Sequence, residues 1–197
     1  MITVTEKIEQ YLVKQHGGKI DGAIGSSLGS SFVGQLVQRR KIHMDHAIFG
    51  SPDLDQSGKL WAKLQAKLVV PILTNITRSE KKRRKTREKL KRFFLMSDEV
   101  ADQFITCFSK FSPESIRNEY YTDLLTHLDE DIQVPHTRAH FIYASKMGER
   151  YRKRYRKYFH DPEIRAFDMQ HEQWLLGDQK YTQPVLAAID EFMNSVV

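Results

Sequence analysis

The chain is nearly without cysteine: among its 197 residues only Cys107 carries a thiol, so no disulfide can form within it. A domain of this length has to be held by its core alone, and a lone thiol fits a reducing compartment, which makes the cytoplasm the expected location. Cys107 stands beside Phe104 and Phe108 and is expected to be a small buried apolar residue. Long hydrophobic runs are missing too, since none approaches the ~18 apolar residues of a membrane span. The first residues, Met1-Ile2-Thr3-Val4-Thr5-Glu6-Lys7, have neither the basic start nor the apolar centre of a secretory signal. There is no zinc-ligand spacing, no phosphate-cradling loop and no dinucleotide fingerprint; Gly17-Gly18 and Gly22 do not make one. No metal, nucleotide or other cofactor is implied.

Charge, by contrast, is plentiful and uneven. Apolar residues make up 40% and charged ones 28%, as in an ordinary globular domain, with a net charge of +6. Lys81–Arg92 and Arg150–Lys157 are almost wholly basic, so the remainder of the chain is net acidic. The first patch reads as a solvated helix face. Its continuation Phe93-Phe94-Leu95-Met96 makes a basic-then-apolar segment able to touch an anionic membrane surface or guide an acyl substrate. The second interleaves Tyr151, Tyr155 and Tyr158 at a spacing that packs a helix onto a sheet. No nucleic-acid partner is expected.

Strands and helices alternate at both ends of the chain. A helix from Thr5 ends at Gly17-Gly18, and the short apolar strand Ile20–Ile24 follows. Phe32, Val33, Leu36 and Val37 mark a helix to about Arg40, and His46–Phe49 the next strand, closed by Gly50-Ser51-Pro52. Such a strand–helix–strand unit favours a parallel sheet covered by helices. The middle of the chain is helical in pattern, with Pro71 and Ser112-Pro113 expected to break the helices. Alternation then resumes with strand His140–Tyr143, helix Gly148–Phe159, strand Ile164–Phe167 and helix Gln183–Met193.

The most informative stretch is Gly25-Ser26-Ser27-Leu28-Gly29, which fits G-x-S-x-G, the turn that lifts a nucleophilic serine from a strand into a helix. A serine held at a strained backbone angle needs small neighbours two residues away on either side, the expected role of Gly25 and Gly29. The helix that starts there points its free N–H groups at any oxyanion that develops. A serine hydroxyl needs a base to take its proton. Of the eight histidines, His171 is the one placed in a loop after a strand in the C-terminal part.

With these residues in place, the chain resembles the α/β-hydrolase family. The resemblance rests on Ile24-Gly25-Ser26-Ser27-Leu28-Gly29-Ser30-Ser31-Phe32, on Ile48-Phe49-Gly50-Ser51-Pro52, and on Phe167-Asp168-Met169-Gln170-His171-Glu172. It implies an α/β fold, a parallel sheet with helices on both faces and a helical cap insertion. Residues 1–56 would hold the nucleophile turn, 57–136 the cap, and 137–197 the acid and histidine loops. It implies a serine hydrolase that cleaves a carboxylic ester or related acyl bond in a small substrate. Ser27 would be the nucleophile, His171 its base and the Leu28 N–H an oxyanion donor.

Two departures from the family pattern accompany the likeness. Where relatives commonly carry an aspartate just after the strand His140–Tyr143, this chain has Met147, and Glu149 is the nearest carboxylate and the first choice as the third member of the triad. Asp53, after the preceding strand, is the second candidate. Family members also begin with several strands and a loop that donates a second oxyanion N–H. Here one helix precedes the nucleophile strand, so the chain reads as N-terminally truncated relative to the family. The strand Ile20–Ile24 would then have a bare apolar edge open to self-association. Two further readings stay open: a catalytically impaired remnant that needs a partner, and a basic-patch binder of anionic polymer or membrane.

Overall fold

The computed structural model describes residues 1–52, 54, 56, 59–75, 79–94, 96–175 and 179–196, with the side chains of 59, 72, 73, 93 and 94 left aside. Asp53 and Leu95 lie outside the described residues. In chain order the elements are α1 (Ile2–His16), β1 (Lys19–Ser26), α2 (Leu28–Arg39), β2 (His43–Gly50), α3 (Lys59–Asn75), α4 (Glu80–Phe94), α5 (Asp98–Ser109), α6 (Pro113–Leu125), β3 (Arg138–Ala144), α7 (Glu149–Tyr158), β4 (Glu163–Phe167) and α8 (Gln179–Met193). The chain divides into two compact units. One comprises residues 1–54, 127–174 and 178–197; the other comprises 55–126 with 175–177.

The first unit is built on a four-stranded parallel sheet in the order β1-β2-β3-β4. Each strand is added on the same side of the one before it. Right-handed crossovers then put the connecting helices on one face. α2 and α7 lie there together, with α1 beside α2, and their Val33, Leu36, Val37, Tyr155 and Tyr158 pack on Met44, Ala47, Phe49, Phe141 and Tyr143 of the sheet. The tyrosines of α7 do face the core, and the Tyr155 hydroxyl donates to the Pro52 carbonyl at 2.6 Å. The alternate residues Ile48, Ile142 and Ala144 point to the opposite face, which α8 covers with Val185, Ala188 and Phe192. β1 pairs with β2 alone among the described strands, and its Ile24 is half exposed.

The second unit, within the described residues, is helical. Two expectations need correction here. Pro71 does not end a helix: α3 runs through it to Asn75. One intrahelical bond is lost, but Pro71 sits in the last turns on the exposed side, and the Thr74 hydroxyl and Asn75 amide donate to the carbonyls of Val70 and Pro71, both at 2.7 Å. Cys107 is exposed rather than buried. α5 buries Ala101 and Ile105, one helical turn apart. A residue two positions past Ile105 falls on the far side of that helix. No described helix is long and apolar enough to cross a membrane.

Candidate functional site

In a parallel sheet the carboxyl ends of all strands open on one edge, where loops carry ligand-facing residues. Ser27 stands on that edge, between the end of β1 and the first turn of α2. Its backbone is at φ 50° and ψ −118°, a conformation that an L-residue keeps only at a cost of about 1–3 kcal/mol. Several contacts hold it there. The Ser27 N–H donates to the Gly50 carbonyl at 2.9 Å. The buried Ser30 hydroxyl donates to the Gly25 carbonyl at 2.7 Å, tying helix to strand.

The two glycines of the motif are not equivalent. A Cβ on Gly25 would stand 2.3 Å from the Gly29 carbonyl oxygen and 2.6 Å from the Ser30 nitrogen, so the backbone can pass there only without a side chain. A Cβ on Gly29 would meet nothing within 4 Å. The expectation that both glycines relieve a clash holds for Gly25 alone, because the crowding comes from the helix folding back over the strand end and not from the reverse.

His171 lies in the loop after β4, at the other rim of the sheet. Three interstrand spacings, about 14 Å, separate the two edge strands, and the loop 168–172 returns across them. Met169, fully buried in the core beneath α8, anchors it, and the Gln170 N–H donates to the buried Gln173 side chain at 2.9 Å. His171 Nε2 thereby comes to 3.2 Å from Ser27 Oγ. With the proton on Nδ1, Nε2 can accept from the serine hydroxyl. Leu28 opens α2, so its N–H is the first of the helix donors without an intrahelical acceptor.

The structure does not bring Glu149 to this pair. Glu149 begins α7, is exposed, and its carboxylate lies 3.9 Å from Arg152 one turn on, an ordinary first-turn acid. His171 Nδ1 is buried and has no hydrogen-bond partner among the described residues. A different carboxylate is close. Glu172 Oε2 is 3.8 Å from His171 Nε2, and its Oε1 accepts from the Ser26 hydroxyl at 2.7 Å. Glu172 has φ 54°, in the left-handed region that few non-glycine residues adopt. Both side chains are about two-thirds covered. Sequence reasoning passed Glu172 by, because only the crossing of the histidine loop over the sheet edge brings it to Ser26. The one local signal was its place directly after His171.

No family model matches the chain, and no curated protein matches it in sequence. Solved structures do match. Staphylococcus aureus MenH superposes with a TM-score of 0.63 at 14% identity, covering 98% of this chain and 76% of its own. A protein of Desulfitobacterium hafniense described as an α/β-hydrolase family member gives 0.62 at 14% identity, over 95% of this chain and 75% of that one. A structure from work on the carboxylesterases of Nitrososphaera gargenis gives 0.59 at 15% identity, over 97% and 71%. At such identities the likeness is one of architecture, and the architecture it establishes for this chain is the α/β-hydrolase fold.

Proposed function

We propose that the chain is a serine hydrolase acting on a carboxylic ester or related acyl bond of a small substrate. The observation that carries the reading is the 3.2 Å approach of His171 Nε2 to the hydroxyl of a serine held at a strained strand–helix turn. In this reading Ser27 Oγ attacks the acyl carbon as its proton passes to His171 Nε2. The Leu28 N–H, at the positive end of α2, donates to the carbonyl oxygen as it becomes negative. Collapse of the tetrahedral intermediate breaks the bond to the leaving alcohol, which takes the proton from the imidazolium. Water, deprotonated by the same imidazole, then releases the acid from Ser27. The imidazolium formed in each half needs a countercharge, and among the described residues Glu172, 3.8 Å from His171 Nε2, can supply it. The Nitrososphaera gargenis structure of like fold comes from work on carboxylesterases, an activity of this class.

That His171 Nδ1 has no hydrogen-bond partner among the described residues favours a second reading, a remnant that keeps the serine and histidine but turns over poorly. One measurement separates the two. A fluorophosphonate probe should label the wild-type chain at Ser27, and Ser27→Ala should abolish the label. Equal labelling of both proteins would remove Ser27 as nucleophile, and no labelling of either would favour the remnant.

A further inference from the structure

α3 is apolar on two sides. One side is satisfied: Ala62, Ala66 and Val70 recur every fourth residue and are buried, Ala66 and Val70 against Ile116, Tyr120 and Tyr121 of α6. The other is not. Leu60 is 85% exposed, Trp61 56%, Leu64 48% and Leu68 62%. At 100° per residue these four fall within an arc of about 100°, and exposed Pro71 falls in the same arc. Exposed Lys63 and Lys67 flank it on the side of Leu60. Four large apolar side chains set side by side in water make a patch that a freely tumbling protein rarely shows.

We infer that this face of α3 docks the protein on an anionic lipid surface, with Leu60, Trp61, Leu64 and Leu68 entering the headgroup boundary. Charge selects that occupant, beginning with exposed Lys63 and Lys67 beside the patch. α3 holds three lysines and no acid, and α4, which follows it, holds nine basic residues against two acids. On α4, Arg87 and Lys91 turn to Asp98 and Asp102 of α5, while Lys81, Lys82, Arg84, Lys85 and Lys89 stand exposed. A helix with leucine and tryptophan on one arc and lysines beside it, followed in the chain by a polybasic helix, has the composition of an interfacial membrane segment. An indole suits that boundary, with its ring in the apolar layer and its N–H toward water. A second copy of this chain would bring its own excess of positive charge to the same place.

The inference is independent of hydrolysis and is best tested with full-length Ser27→Ala, which cannot turn over lipid through the proposed nucleophile. The chain has two tryptophans, of which Trp174 is buried and Trp61 exposed, so Trp61 reports on the face directly. Flotation with vesicles of phosphatidylcholine and phosphatidylglycerol should carry the protein upward and move its tryptophan emission to shorter wavelength. Pure phosphatidylcholine or high salt should weaken binding, and Trp61→Phe should remove the emission shift. Leu64→Ser with Leu68→Ser should weaken binding by about tenfold or more; Lys63→Glu with Lys67→Glu, which leaves the leucines in place, should also weaken it. Failure to float with anionic vesicles would overturn the inference, as would flotation that the leucine substitutions leave unchanged. An emission shift that grows with protein concentration in the absence of vesicles would assign the face to self-association.

Discussion

Glu172 and Glu149 can be told apart by charge alone, because glutamine keeps the shape of either side chain. In Glu172→Gln the contact with the Ser26 hydroxyl survives, since the amide oxygen still accepts, while the negative charge 3.8 Å from the imidazole is gone. Two unit charges at that distance attract by about 4 kcal/mol at an effective dielectric constant of ~20, before water at a third-exposed site screens part of it. Turnover of a short-chain ester should therefore fall about tenfold to a hundredfold, in kcat and with KM nearly unchanged, because the lost charge matters only once the imidazolium forms. Glu149→Gln should leave both constants within about twofold, as for an exposed surface acid. Steady-state kinetics on the two variants checks this. A large kcat loss in Glu149→Gln with an unaffected Glu172→Gln would restore the sequence-based choice.

At the scale of elements, the turn from β1 into α2 makes its own prediction. Gly25→Ala drives a methyl group into backbone atoms of α2 and should cost about 1–3 kcal/mol or more, together with any activity that depends on the turn. Gly29→Ala meets open space inside a helix, so it should leave stability unchanged or raise it by up to about 1 kcal/mol. Thermal melting of the pair decides whether the motif needs one glycine or two. The same turn shows what the sequence makes legible. Apolar patterning reveals α2, β2, β3 and α7 because each buries a face, while β1 and β4, mostly half-buried, show as short apolar runs between helices. The G-x-S-x-G spacing marks Ser27, and position after the last strand marks His171. What it hides is set by tertiary contact. Glu172 meets Ser26 only across the width of the sheet, and Pro71 reads as a break although nearby side chains take up the last carbonyls of α3. Cys107 reads as core because its aromatic neighbours do not reveal which side of α5 is buried.

The sheet as a whole carries a pH dependence that the proposed chemistry does not use. His46 and His140 sit on the two central strands, fully or almost fully buried, with His46 Nδ1 3.1 Å from His140 Nε2. His140 Nδ1 is 2.9 Å from the Glu163 carboxylate of β4, and Arg165, which pairs with Glu163 and with Glu191 of α8, lies over the Phe192 ring on which His140 stacks. Neutral histidines satisfy every bond: His140 donates from Nδ1 to Glu163 and accepts at Nε2 from His46. Burial dominates the balance for His140 and lowers its pKa from 6.5 to about 4, against the opposing pull of Glu163 and with help from His46 and Arg138. Between those values the unfolded chain binds a proton that the folded chain does not. The stability contributed by neutral His140 is thus complete above pH ~6.5 and drains away as the pH falls toward ~4, by on the order of 3 kcal/mol in all. Half-buried Asp45, whose pKa is lowered by the hydrogen bond from His43, loses its contribution only further down. Urea denaturation at pH 7 and pH 4.5 should show the wild type markedly weaker at the lower pH. His140→Gln should start less stable at pH 7, having lost its bonds to Glu163 and His46, and yet lose less on acidification. If variant and wild type lose the same amount, the acid sensitivity lies elsewhere in the molecule than at His140.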